Sequence, residues 1–288
     1  MNSDENPGKG RQEMADIKFS ICNELFEGWS QEDVFRYVAE AGYDGVEIAP
    51  FTLARSVVDV GPERREQLRR EAEREGLEMV GLHWLLASPE GLYLNHPDEQ
   101  VRKTTQDYMA ELIRFCGDLG GKRMIMGSPK QRNVMAGCTY QEAWDFTKEV
   151  FRSLLPVAEK SGVILCIEPL DRGQTNFINT PDEAARLVKE IGHPNFKLML
   201  DVKATVNQGE SVVEAIRQFG PDIAHFHAND ANGRGPGFGD VDFTPIAQAL
   251  KEIDYGGYVS VEVFDFKPDP RAITRKSLDY LKRVFPVE

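Results

Sequence analysis

The sequence predicts an α/β protein, a single-domain (β/α)₈ barrel, and three observations carry that prediction. Eight short apolar, β-branched runs alternate with amphipathic stretches of helical period. The 288 residues suit one such barrel, which routinely fills about 250 residues as one unit. No glycine-rich fingerprint follows the first run, in ICNELFEGWS, where the rival open, doubly wound sheet would normally carry one.

The predicted strands, in order, are IKFSIC (17–22), DGVEIA (44–49), EMVGLH (78–83), KRMIMG (122–127), VILCIE (163–168), KLMLD (197–201), IAHFH (223–227) and GYVSVEV (257–263). Helical segments lie between them. QEDVFRYVAEAG, ERREQLRREAEREG and PDEAARLVKEIG each end in a glycine, which can adopt the left-handed backbone that stops a helix. The longest connections, LASPEGLYLNHP, SPKQRNVMAGCT and NDANGRGPGFGDVD, follow strands three, four and seven. All three therefore fall on the C-terminal face, where barrels of this kind carry their sites. The glycines of GRGPGFG are interrupted by proline and lack a strand–turn–helix context, so that stretch reads as a lid and not a phosphate loop. Residues 14–288 are expected to form the barrel, with residues 1–13 a polar, disordered tail or an upstream start before Met14.

Composition narrows the function. With 41% hydrophobic and 28% charged residues the chain can bury a core behind a hydrated surface. A net charge of −13 with no run of Lys and Arg argues against nucleic acid or an anionic membrane as partner. The first residues lack the apolar core of a signal peptide, and no apolar segment is long enough to span a bilayer. Cys22, Cys116, Cys138 and Cys166 are far apart and form no CxxC pair. Reduced thiols in a cytoplasmic protein are the expectation.

Polar residues at the ends of apolar strands are costly to bury without partners. Glu168 ends VILCIE, Asp201 ends KLMLD, His227 ends IAHFH, and Glu262 stands between valines in VSVEVF. Each alone has a structural explanation, as a helix cap, a satisfied core histidine or an ion pair. Together, at the ends of strands five to eight, three carboxylates and one imidazole form an oxygen-rich site for a hard or borderline divalent ion. Without a cation, carboxylates this close would repel one another.

These residues also carry a resemblance. EPLDRGQTNFINT (168–180), LMLDVKA, HFHAND with PGFGDVDF, and VSVEVF resemble the xylose isomerase-like TIM-barrel superfamily, in particular its D-tagatose 3-epimerase-like ketose 3-epimerases. The likeness runs over nearly the whole barrel. It implies that Glu168, Asp201, His227 and Glu262 bind the metal, Mn²⁺ first, with Mg²⁺, Co²⁺ or Zn²⁺ as alternatives. It implies a small sugar-like substrate, unphosphorylated for want of a phosphate cradle, and a homodimer or homotetramer. Glu168 and Glu262 would be the catalytic pair, removing a C–H proton beside a metal-polarised carbonyl and returning it. Return from the opposite face makes an epimerase; return to the adjacent carbon makes an isomerase.

The chain departs from the epimerase pattern at Gln174, where those enzymes have glutamate, and at Ala204, where they have histidine. Both positions help hold substrate oxygens, so another substrate or another proton-transfer route is implied. Elimination from the same enediolate, as in an inosose dehydratase or a keto-glycoside lyase, is the runner-up, and a non-catalytic sugar-binding barrel the alternative outside catalysis. A multi-metal repair endonuclease fits poorly with five histidines and a charge of −13. Further substrate contacts are expected from His83 with Trp84, from Glu47 unless it pairs with Lys18, from Gln174, and from Arg234, which fits the superfamily's substrate-binding arginine in a displaced register. Strand alternation puts Lys203 on the face of Asp201, either on a substrate oxygen or paired to a carboxylate. His225, sharing a face with His227, is read as a supporting partner of the site.

Overall fold

The computed structural model describes residues 17–285, so the expected tail over residues 1–13 lies outside the described residues. Eight parallel strands close into one barrel in chain order. They are β1 (Lys18–Cys22), β2 (Gly45–Ile48), β3 (Glu78–Leu82), β4 (Arg123–Met126), β5 (Ile164–Ile167), β6 (Phe196–Asp201), β7 (Ile223–Ala228) and β8 (Tyr258–Val261). Each falls within a residue of its predicted run at the start and within two at the end. Closure comes from β1 on β8, with Phe19 opposite Val259 and Ile21 opposite Val261.

The helices are α1 (Gln31–Ala41), α2 (Pro62–Arg74), α3 (Glu99–Asp118), α4 (Tyr140–Ser161), α5 (Pro181–Ile191), α6 (Val202–Asn207), α7 (Val212–Phe219), α8 (Thr244–Glu252) and α9 (Pro270–Val284). Local sequence sets their limits. Thr139 with Glu142 and Thr180 with Glu183 form reciprocal capping boxes that open α4 and α5. Gly42 and Gly192 close α1 and α5 at φ of 93° and 65°, a backbone that other residues adopt only at a cost.

Two apolar layers result. The larger lies between strands and helices and includes Phe35, Phe115, Trp144, Phe151, Phe196 and Phe226. A small separate cluster of Ile125, Cys166 and Met199 comes from alternate positions of β4, β5 and β6 and fills the barrel lumen. Two residues further along those strands stand Gly127, Glu168 and Asp201. Glu168 and Asp201 therefore stand one layer above this cluster, towards the C-terminal mouth of the lumen. All four cysteines are free.

Gly81 of β3 is where the barrel wall tolerates no side chain. A Cβ there would lie 1.9 Å from the carbonyl oxygen of Arg123 on the paired strand. Gly81→Ala is expected to lower stability by about 3 kcal/mol, because backbone must shift to admit it; urea unfolding of the two proteins measures this. Among the described residues, no helix is long and apolar enough to cross a membrane.

Candidate metal and acid–base site

The site is assembled by strand register. Met199 pairs with His225 and Asp201 with His227 across the β6–β7 ladder, and His227 pairs with Ser260 of β8. Glu262 follows two residues later, and Glu168 leaves the end of β5. Side chains of period two thus deliver Glu168, Asp201, His227 and Glu262 to one level of the lumen. One ligand atom from each lies within 4.8 Å of all the others. Bonds of about 2.1 Å to a small divalent ion leave ligand atoms at most about 4.2 Å apart, so slight contraction gives a common coordination sphere.

Two further observations fit a cation. His227 Nδ1 is 3.0 Å from Glu262 Oε2, yet it is buried without an aligned hydrogen bond. Among the described residues no hydrogen-bonding group is aligned with it. Burial, then the charges of Glu262 and Asp201, push the Glu168 carboxyl well above the usual carboxylate range. Burial and Glu262 likewise push Asp201 up to about 6. Burial alone would lower the basicity of His227, but Glu262 and Glu47 outweigh it and raise its pKa well above the usual imidazole range. In the metal-free protein a proton therefore does part of what a divalent ion does better, holding anions together.

The four clustered side chains are held from behind. Glu47, with no exposure to solvent, accepts from His225 Nε2 at 2.7 Å and His227 Nε2 at 3.3 Å. Burial opposes its charge, but the two imidazoles outweigh that and keep its carboxyl well below the usual range. A carboxylate bonded to the far nitrogen of a ligating histidine fixes ring and tautomer. Asp201 accepts from Ala204 N at 2.6 Å, capping α6, and from Asn229 Nδ2 at 2.5 Å. Arg132 is fully buried and donates to the carbonyl of Glu168 at 2.7 Å and to those of Met126 and Ile178 at 3.2 Å. Burial lowers its pKa only to about 10, so it remains a cation behind the Glu168 backbone.

Gly127 makes room for the Glu168 carboxylate: a Cβ there would lie 2.2 Å from Glu168 Oε2. Gly127→Ala is expected to displace that carboxylate and cut metal affinity and turnover at least tenfold, with little loss of stability. Metal titration followed calorimetrically, beside thermal unfolding, checks both halves.

A pocket at the C-terminal mouth is lined by Glu168 and Glu262 and also by His83, Trp84, Gln174 and Phe264. His83 and Gln174 therefore share the cavity with the two glutamates. Gln174 Nε2 donates to Asp171 Oδ2 at 2.6 Å, and Lys203 Nζ stands 3.7 Å from the same oxygen. Lys203 arrives there by a different route from the one strand alternation suggested. The chain turns helical at Val202 because Asp201 serves as N-cap, so Lys203 is a helical residue, paired to a carboxylate, with its ammonium 5.0 Å from the Phe264 ring centroid. Glu47 and His225 lie beneath the ligands and not in the pocket, and Lys18 pairs with Glu78 instead of Glu47. Arg234 donates to Asp265 Oδ2 at 2.9 Å and ties two loops together outside the pocket lining.

Sequence reasoning passed over Asn229, Glu24 and Arg132. Asn229 continues the His225, His227 alternation and so had a period-two signal, whereas Glu24 lies in a 3-10 turn over Asn23–Leu25, where strand alternation has ended. Arg132 had none, since it acts on backbone carbonyls from the middle of a long loop.

Comparison with known proteins adds ancestry to this geometry. A D-psicose 3-epimerase of Ruminiclostridium cellulolyticum is 29% identical over 82% of this chain and 81% of its own length. A 3-dehydro-D-guloside 4-epimerase of Escherichia coli K12 is 23% identical over 92% of this chain and 99% of its own. The crystal structure of a D-psicose 3-epimerase in the presence of D-fructose superposes with a TM-score of 0.83, covering 94% of this chain and all of that one, at 22% identity. The family model described as xylose isomerase-like TIM barrel matches residues 35–284. That match takes in all four clustered side chains, and the chain belongs to the xylose isomerase-like TIM barrel family.

Proposed function

We propose that this protein is a divalent-metal-dependent epimerase or isomerase of keto-sugars, with Glu168 and Glu262 as the proton-exchanging pair. The observation that carries the reading is that these two buried carboxylates belong to the four-ligand cluster and also line the pocket. The named relatives are epimerases of keto-sugars, which favours proton exchange over the elimination reading. Glu168, Asp201, His227 and Glu262 would hold the ion, for which the carboxylate-rich donor set suits Mn²⁺ or Mg²⁺. When bound, the ion supplies Lewis-acid polarisation of a carbonyl and an adjacent hydroxyl.

The chain's own residues do the rest. One glutamate takes the proton from the carbon beside the carbonyl while the other delivers a proton. A substrate of the opposite configuration exchanges their roles, so each glutamate is needed in both directions. Gly127 leaves space for the Glu168 carboxylate and Glu47 fixes the His227 ring through Nε2, keeping the site set as substrate enters. The pocket walls of Trp84, Leu170 and Phe264 exclude water and offer apolar surface to sugar C–H faces.

Incubating Mn²⁺-loaded protein with pure D-fructose or pure D-psicose, and with 3-keto-glycosides, tests the reading by chromatography. The expected result is metal-dependent approach to one epimer mixture from either side for at least one substrate. Release of a leaving group without epimer, or no conversion of any of them, would overturn it.

A further inference from the structure

The same pocket holds polar groups that the proton-exchange step leaves unused. His83, directly after β3, is fully buried and lines the pocket. Its Nε2 is 2.6 Å from Glu24 Oε2, a residue that follows β1 and is itself 8% exposed. Its other nitrogen, Nδ1, is buried with no partner, and so is Nε1 of the next residue, Trp84. Leaving such atoms unpaired in a folded protein costs about 1–3 kcal/mol each, so two in succession beside an active pocket point to a ligand.

The wall is also fixed in place. Trp84 holds φ at 52°, a left-handed backbone that a bulky residue adopts only when its surroundings require it. Its ring is flanked by Phe51 and Phe264, each with its centroid 6.4 Å away. Glu24 fixes the His83 ring through Nε2 and so leaves Nδ1 as the unpaired nitrogen of a residue that lines the pocket. The indole N–H can only donate. Imidazole Nδ1 accepts when the ring is neutral and donates when it is charged. A hydroxyl serves both nitrogens in either state: it accepts from the indole while donating to Nδ1, or accepts from both.

We propose that His83 and Trp84, with Glu24 as positioning residue, form a hydroxyl-recognition subsite that reads one hydroxyl of the sugar substrate. The subsite rests on the keto-sugar reading above and narrows it to substrates that keep this hydroxyl, excluding the corresponding deoxy sugars.

Binding tests it apart from turnover. The probes are a six-carbon alditol, which has no carbonyl and cannot react, and its monodeoxy forms, titrated calorimetrically into metal-loaded protein. One monodeoxy form is expected to bind the wild type at least tenfold more weakly than the parent alditol, and that difference is expected to collapse in Trp84→Phe and His83→Phe. Glu24→Ala is expected to reproduce the loss and Glu24→Gln, which keeps an acceptor for Nε2–H, to restore most of it. Metal content and melting temperature show that each variant is folded, and Trp84→Phe keeps the aromatic packing should His83→Phe fail. Equal discrimination by wild type and Trp84→Phe overturns the subsite, as does absence of alditol binding. Discrimination as expected, with no ketose turned over, supports the subsite and overturns the epimerase reading.

Discussion

Replacing Glu262 by glutamine is expected to lower turnover by about 10³-fold or more while the barrel still folds, since a positioned acid or base contributes about 10²–10⁴. The substitution keeps shape and removes charge at a residue that is 5% exposed and stands 3.0 Å from His227 Nδ1. Two losses combine: one member of the proton-exchanging pair, and one anionic metal ligand. Saturating Mn²⁺ separates them, because restored occupancy recovers the second loss only. Turnover at saturating metal, beside the melting temperature, is the measurement; retained turnover removes Glu262 from the proton exchange.

Stripping the protein with a chelator is expected to abolish turnover and lower the melting temperature, with both restored by Mn²⁺. At a free-ion concentration of 100 times Kd the ion adds about 2.7 kcal/mol, which for a chain of this size is roughly 4–5 °C. The direction with pH follows from the cluster. Binding needs ionised carboxylates and a neutral His227, whereas burial and mutual repulsion hold Asp201 at about 6 and Glu168 well above its usual range in the metal-free protein. Protons therefore compete with the ion, and Mn²⁺ affinity is expected to fall as pH drops through 6. Titrations across that range check the sign; an affinity that rises on acidification contradicts this ligand set.

The barrel was legible in the sequence because its strands are short apolar runs between helices of regular period, a pattern that local residues determine. The four clustered residues were legible for a related reason. Glu168, Asp201, His227 and Glu262 are polar groups at the ends of apolar strands, where period-two geometry aims side chains into the lumen. The same geometry misled at Lys203, since Asp201 ends the strand by capping a helix and alternation stops there. It also left Glu47 undecided between Lys18 and a substrate, because the partners it has, His225 and His227, come from the far side of the barrel. Arg132 was invisible, as a long-range contact to carbonyl oxygens leaves no periodic trace. Chemistry carried by a strand could be read from the chain, while chemistry carried by a loop or a cross-barrel pair needed the fold.

The measurement that bears most directly on the proposed function is exchange of substrate C–H for deuterium in D₂O. Mn²⁺-loaded protein and a chelator-treated control would be followed by NMR with free ketoses and 3-keto-glycosides. Metal-dependent deuterium is expected at one carbon beside the carbonyl, in recovered and epimerised sugar alike, with its loss in both Glu168→Gln and Glu262→Gln. Epimer formed without deuterium, or exchange undiminished by removing the metal or either glutamate, would contradict the proposed function.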